Sequence, residues 1–350
     1  MIIVPPEYFK QRIEVSKEYY HKRGLCGIKN LGNTCFMNTI IHCLCYCREF
    51  ISYFLDNSYV EDLNNRKEAP LVILWNIVCR QIFYANAVIE PTEFHRFIQR
   101  LAHAKGYDTF TGYRQNDSQE FLQFFLENIH LPLSYEIDME VVANRVPIQM
   151  TESQLLEYNS LKSWKKYFEN EYSPIIDLFY GQFLSRITEI NGDFKSDSYE
   201  PFSSLPIELS DDSLEGCLRN FIRAETIDYQ RNPADTASYR KNILISVCPA
   251  YLIIILKRFD NRGHKINKLV SAPLTGLDIS PYCIKMTRNY TYDLVAVANH
   301  TGSLGGGHYF MYGRNEDGCW YNHNDSIVTL IDPQSVISPL AYVLFYRRID

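Results

Sequence analysis

A thiol, an imidazole and a side-chain amide or carboxylate can act together as nucleophile, base and orienting group. Cys35, His308 and the pair Asn324–Asp325 supply those types in this chain of 350 residues. Cys35 lies in the stretch Gly27–Phe50, GIKNLGNTCFMNTIIHCLCYCREF. Turn-forming Asn30, Gly32 and Asn33 precede it; Phe36, Ile40, Cys43, Leu44 and Cys47 then recur at helical spacing, which predicts a helix with one apolar, buried face. Asn33 or Thr34 can cap that helix and so place Cys35 in its first turn. There the orphan backbone N–H groups and the positive end of the helix dipole favour thiolate over thiol. Asn30, on the entering loop, can donate its amide to a developing oxyanion. Without a base elsewhere, Cys35 would read as one more buried thiol.

Nine histidines are candidate bases. His42 sits two turns further along the Cys35 helix, and His21, His95, His103 and His130 fall on ordinary helical segments. His308 differs: it follows Leu304-Gly305-Gly306-Gly307 and opens a strand-like run, HYFMYGR, so a glycine loop that permits close backbone approach delivers an imidazole at a strand edge. A phosphate-binding reading of the glycines fails, because neither Lys-Ser/Thr nor a helix follows. Tyr321 comes thirteen residues after His308, then Asn322-His323-Asn324-Asp325-Ser326. Returning on a neighbouring strand, this segment would bring Asn324 or Asp325 beside His308.

The elements that must position these groups fall into two sets. Met1–Arg23 reads as a helical lead-in, followed beyond the Cys35 helix by helices over Leu71–Ala85, Thr92–Ala104, a segment capped by Asp117 with Glu120 three residues on, and Ser153–Glu171. From Ile175 onward strand signals dominate: Phe179–Ile190, Tyr199–Leu209, Tyr251–Phe259, Tyr292–Asn299, His308–Arg314, Cys319–Asn322 and Ala341–Arg347, with a helix over Leu214–Phe221. The continuous apolar run of Tyr251–Phe259 suits a central strand buried on both faces. The pattern predicts an α+β protein, a helical part followed by an antiparallel β part, with the cleft between them as the default site.

Composition agrees with a globular, aromatic-rich protein: 46% hydrophobic, 14% aromatic, 26 tyrosines. A net charge of −6 and a pI near 5.9 argue against a nucleic-acid partner. The amino-terminal apolar run is broken by Pro5 and Pro6 and does not read as a signal peptide, and no run approaches the roughly 20 residues of a membrane span. Ten cysteines in that context read as reduced thiols, which places the chain in the cytoplasm, the nucleus or both.

The segments GIKNLGNTCFMN, RQNDSQEF, and GGGHYFMYGR followed by WYNHNDS resemble the cysteine, Gln-Asp and histidine boxes of the ubiquitin-specific protease family. LFYGQF, YEPF and YLIIILKRF with its following KINK are similar to further family segments, in the family's order, from about Gly24 to Tyr346. The resemblance implies a papain-like fold of thumb, palm and fingers: a lead-in over 1–23, then one catalytic domain over 24–350. Within it, 24–150 would form the mainly helical thumb, 175–255 the fingers with part of the palm, and 256–350 the palm.

By position the resemblance makes Cys35 the nucleophile, His308 the general base, Asn30 the oxyanion-hole amide and Asn324 the third triad member, accepting the Nδ1 proton of the imidazole. Asp325 is the adjacent acid that shares or assists that role. The run Gly305–Gly307 would border a narrow channel for a Gly-Gly tail, with Gly306, Gly307 and Tyr309 as substrate-binding residues. Asp117 matches an aspartate that contacts the substrate tail; on residue type alone it reads equally well as a helix cap. The implied reaction is hydrolysis of the isopeptide or peptide bond after the terminal glycines of ubiquitin through an acyl-enzyme. Alternatives are a deconjugase of a ubiquitin-like modifier and a catalytically silent ubiquitin-binding scaffold. Ubiquitin and ubiquitinated proteins are the implied partners, and the sequence names no activating partner.

The chain departs from the family pattern in two places. Relatives carry two Cys-x-x-Cys pairs that bind zinc in the fingers. Here Glu189, Gly192, Asn232 and Asp235 occupy the matching positions, so no zinc and no other cofactor is expected. His323 stands where relatives place an aromatic; it reads as an aromatic substitute, with an alternative base or a proton-sensitive neighbour of Asp325 as the rival reading.

Overall fold

The change from helix-forming to strand-forming sequence near Pro174 divides the structure. The computed structural model describes residues 17–84, 86–141, 150–233, 235–284, 289–303 and 306–349. Most of the lead-in and Gly305 lie outside these residues. The helices before the division are α1 (Lys17–Tyr20), α2 (Cys35–Cys45), α3 (Arg48–Leu55), α4 (Tyr59–Asp62), α5 (Ala69–Tyr84), α6 (Thr92–Ala104), α7 (Ser118–His130) and α8 (Glu152–Phe168). Pro174 occupies the first turn of α9 (Pro174–Phe179), where its missing N–H costs nothing. A last helix, α10 (Leu214–Phe221), interrupts the strands.

The strands are β1 (Gly181–Glu189), β2 (Lys195–Phe202), β3 (Leu205–Glu208), β4 (Glu225–Ile227), β5 (Tyr239–Val247), β6 (Tyr251–Lys257), β7 (Leu277–Asp278), β8 (Thr291–Ser303), β9 (Gly306–Arg314), β10 (Trp320–Asn324), β11 (Ile327–Ile331) and β12 (Ala341–Arg348). They form a four-stranded sheet in the order β2-β1-β5-β4 and a larger sheet in the order β11-β10-β9-β8-β12-β6-β3, with β7 paired to β8. Pairing is antiparallel except between β3 and β6, which run parallel. The β part is thus antiparallel as expected, with this one parallel pair at its edge. The segment Tyr199–Leu209, expected as one strand, is two, because the chain leaves the small sheet at Phe202 and enters the large one at Leu205.

The apolar run in β6 explains the layering. Tyr251, Ile253 and Ile255 face one core, shared with the buried residues of α2, α3, α5, α6 and α7, while Leu252, Ile254 and Leu256 face a second core with α10. The large sheet is therefore buried on both faces near its centre. Its helical side carries β9 against α2, and β10 lies beside β9 with His323 opposite Met311. α2 is buried on every side rather than on one face, all eleven of its residues lying inside. Cys47, expected on its apolar face, lies beyond it as the residue before α3. Among the described residues, no helix is long and apolar enough to cross a membrane.

Candidate active site

Cys35 is the first residue of α2, reached through a turn in which Asn33 adopts a positive φ of 56°. Neither expected cap acts as one. Thr34 holds the cap position without a side-chain bond to the helix, and its Oγ1 instead accepts from Leu31 N at 2.9 Å. Asn30 organises the turn, its Oδ1 accepting from the backbone N–H of Gly32 at 3.0 Å and of Thr34 at 3.1 Å.

The Cys35 thiol is almost fully buried, and burial raises its pKa above the ordinary value; the Asp325 carboxylate adds to the rise, and the Tyr309 N–H, which points at the sulfur, opposes it. Against the expectation that the helix terminus favours the thiolate, desolvation outweighs the local donors and moves the thiol pKa upward. Tyr309 directly follows His308, so the sulfur lies beside the start of β9. Among the described residues no hydrogen bond joins the Cys35 thiol to His308.

His308 Nε2 and Asn324 Oδ1 are 2.7 Å apart. An amide oxygen only accepts, so the proton is on Nε2 and the Nδ1 lone pair is free. This reverses the expected ring nitrogen, which was Nδ1. It also separates Asn324 from Asp325. Asp325 turns away in a positive-φ conformation of 48°, and its Oδ1 accepts from Asn38 Nδ2 at 2.8 Å while its Oδ2 accepts from Asn30 Nδ2 at 3.0 Å. Its backbone carbonyl accepts from Ile28 N at 2.8 Å. Asn324 thus touches the imidazole, and Asp325 ties the Asn30 loop and α2 to the end of β10. Asn30 retains a second amide proton not engaged by Asp325.

Asp117 caps α7, its Oδ1 accepting from Gln119 N at 2.7 Å and Glu120 N at 3.3 Å. Its Oδ2 accepts from the hydroxyls of Tyr309 at 3.2 Å and Tyr342 at 2.9 Å, so the carboxylate also joins α7 to β9 and β12. The neighbouring Gln115, not singled out from sequence, bridges the cleft: its Nε2 donates to Gly307 O at 2.8 Å, and its Oε1 accepts from Gly307 N at 2.6 Å. A Cβ on Gly307 would collide with His300 Nε2 and Thr301 O. The sequence signals for Gln115 were its place in the RQNDSQEF box and two residues before a helix cap.

His42 stays on the Cys35 helix away from the site, and His323 packs as the aromatic substitute expected of it. His42 is fully buried and faces His323, with ring centroids 4.3 Å apart. Burial pushes His42 well below the ordinary imidazole range and His323 down to about 4. His323 Nε2 lies 2.8 Å from the Tyr46 hydroxyl. It packs on the α2 side of β10, whereas Asn324 and His308 meet on the other, so it contacts neither.

The positions matching a finger metal site hold an ion cluster. Arg231 Nε donates to Asp235 Oδ2 at 2.9 Å, and its Nη1 lies 3.8 Å from Glu189 Oε2. Tyr239 OH also donates to Asp235 Oδ2, at 2.7 Å. A Cβ on Gly192 would meet the Glu189 carboxylate. A guanidinium with two carboxylates around it offers no set of donors for zinc. Among the described residues no group of three or more His, Cys, Asp or Glu could hold a metal ion.

A family profile described as ubiquitin carboxyl-terminal hydrolase matches residues 26–346. The chain is 34% identical over 344 residues to ubiquitin carboxyl-terminal hydrolase 2 of Rattus norvegicus, covering 93% of this chain and 54% of that one. The human protein of the same name is 33% identical over 343 residues, with 93% and 55% covered. The chain therefore spans about half the length of these relatives. Its fold matches a chain of the SAGA Ubp8/Sgf11/Sus1/Sgf73 DUB module bound to ubiquitin aldehyde, with a TM-score of 0.72, 22% identity, and coverage of 95% of this chain and 71% of the other.

Proposed function

The chain belongs to the ubiquitin carboxyl-terminal hydrolase family, and on that premise we propose that it is a cysteine deubiquitinase hydrolysing the isopeptide or peptide bond after the terminal Gly-Gly of ubiquitin. The observation that carries the reading is the His308 Nε2–Asn324 Oδ1 bond at 2.7 Å, which leaves Nδ1 free as a base on the residue before Tyr309, whose backbone neighbours the Cys35 sulfur at the start of α2.

In this mechanism His308 Nδ1 takes the Cys35 proton as the sulfur attacks the glycine carbonyl, and thiolate and imidazolium form together, which suits a thiol whose pKa burial raises. The Asn30 amide proton not used by Asp325 donates to the oxyanion. His308 then gives its proton to the departing lysine amine and, from the same nitrogen, activates the water that releases the acyl-enzyme. Gly306 and Gly307 would line a channel too narrow for side chains, with Tyr309 and Asp117 holding its wall. Residues 24–350 act as one catalytic domain without structural zinc, the Arg231–Asp235 pair supporting the finger sheet instead. A cytoplasmic or nuclear site of action suits the ten thiols.

The test is ubiquitin bearing a thiol-reactive electrophile at its carboxyl terminus, mixed with the wild type and with Cys35→Ala and His308→Ala. The expected result is an adduct with wild type, none with Cys35→Ala and slow formation with His308→Ala. An adduct only with a ubiquitin-like modifier would move the substrate. Silence with every modifier, from folded protein, would overturn the reading in favour of a binding scaffold.

A further inference from the structure

Ten cysteines are spread over the chain, and two of them, distant from Cys35 in the fold, meet sulfur to sulfur. Cys248 Sγ and Cys283 Sγ lie 3.4 Å apart, across a sequence separation of 35 residues. Cys248 follows the last residue of β5, at the turn by which the small sheet hands the chain to β6 of the large sheet. Cys283 closes the short helical turn Ser280–Tyr282 that precedes β8. Cys248 is buried in the second core, while Cys283 is partly exposed.

Both backbones are held without help from the sulfurs. Ile245 and Cys283 form a parallel bridge, and Ile284 N donates to Ile245 O at 2.9 Å. On the other side Arg348 Nη1 donates to Cys248 O at 3.0 Å, and Tyr292 OH donates to Pro249 O at 2.7 Å. Closing the pair to a disulfide of about 2.0 Å needs the two sulfurs to approach by about 1.4 Å.

We propose that Cys248 and Cys283 are a redox site, forming a reversible disulfide when the protein meets a peroxide. The chemistry balances. The Cys283 thiolate attacks one peroxide oxygen and breaks the O–O bond, giving a sulfenic acid and releasing water or an alcohol. The Cys248 sulfur then displaces hydroxide from that sulfenic acid, its own proton leaving in the water formed, and the disulfide results. Two thiols are oxidised and one peroxide is reduced. Exposure decides the order: peroxide reaches Cys283, and Cys248 resolves it from inside. The bond would tie the turn between the two sheets to the Ser280–Tyr282 turn, and a dithiol reductant would release it. This inference is independent of the hydrolytic reading.

The experiment uses the full chain with Cys35→Ala, so that the candidate nucleophile contributes no signal. The protein is treated with hydrogen peroxide near stoichiometry, then alkylated and digested without reduction. A peptide pair joined through positions 248 and 283, a mass loss of about 2 Da and full reversal by dithiothreitol are expected. Adding Cys283→Ser should abolish the link. Adding Cys248→Ala, in case the first variant folds poorly, should leave Cys283 unresolved as a sulfenic acid that dimedone traps, and a second equivalent of peroxide should carry it to sulfinic acid, a gain of about 32 Da. The oxidised protein should also melt a few degrees higher than the reduced one. Two free thiols after treatment of folded protein would overturn the proposal, as would sulfinic acid at Cys283 with Cys248 present, or linkage mainly to another cysteine such as Cys319.

Discussion

Asn324 and Asp325 are adjacent in sequence but serve different neighbours, and their variants should separate accordingly. Asn324→Ala removes the acceptor that fixes the His308 tautomer, and kcat should fall by about two to four orders of magnitude with KM little changed. Asp325→Ala leaves that bond but frees Asn30 and Asn38. Its loss should be about two orders of magnitude, the scale of a single oxyanion donor, and Asn30→Ala in the same background should add little. Steady-state kinetics on a ubiquitin–fluorophore amide decide this; full additivity of the two losses would sink the assignment. Cys35 gives a pH test. Because burial raises its thiol, alkylation of the free enzyme by iodoacetamide should climb through the alkaline range above the ordinary cysteine pKa of about 8.5, without a plateau near pH 6. The sequence showed which residues could form the triad but not which ring nitrogen or which acid would be used. Residue type and spacing bring Asn324 to His308, whereas the positive φ that turns Asp325 away is a backbone feature with no composition of its own.

At the scale of elements, helices with strong apolar periodicity were legible to the residue: Thr92–Ala104 and Leu214–Phe221 form as expected. β5 and β11 were not. β5 begins with Tyr239-Arg240-Lys241-Asn242, whose polar residues suit a strand half-open to solvent, and β11 is an edge strand whose Ile327 and Leu330 stay exposed, so neither carries the buried pattern that announces a strand. The Gln115 clasp escaped for a related reason, since a side chain pairing with a backbone peptide leaves no periodic trace. Gln115→Glu keeps an acceptor for Gly307 N but sets a carboxylate against Gly307 O. Losing a hydrogen bond of about 1–1.5 kcal/mol should speed exchange of the Gly307 amide by about tenfold. Unchanged exchange measured by NMR would mean that the clasp does not hold the glycine loop. Gly307→Ala should be far more severe, because His300 and Thr301 leave no room for a methyl group.

For the whole molecule, buried titratable groups set the response to acid, and they pull in opposite senses. Burial lowers His130, His300 and His323 to about 4 each, and His42 well below its ordinary value. Unfolding restores each to about 6.5, so the unfolded chain binds more protons and stability is lost as pH falls from about 6.5 toward 4. For His323 alone, the fall from about 6.5 to about 4 corresponds to roughly 3 kcal/mol across that window. Asp177 acts the other way. Burial raises its carboxyl to about 7, so protonation on acidification favours the folded state over much the same window. The lowered histidines, His95 among them, outweigh the raised carboxyls of Asp177 and Glu120, and the melting temperature should fall steadily between pH 7 and pH 4.5. The Asp235 carboxylate, held low first by Arg231, contributes stability above about pH 3.9 that is lost only as pH falls through its still lower folded value, below this range. His323→Phe fills the same site beside His42 and Tyr46 with an aromatic that cannot titrate. It should flatten the fall in melting temperature while costing the Tyr46 bond, about 1 kcal/mol, at neutral pH. Asp177→Asn should steepen the same fall. Calorimetric melts at half-unit steps of pH test the account, and a His323→Phe curve parallel to that of the wild type would show that the buried histidine pair does not govern the acid response.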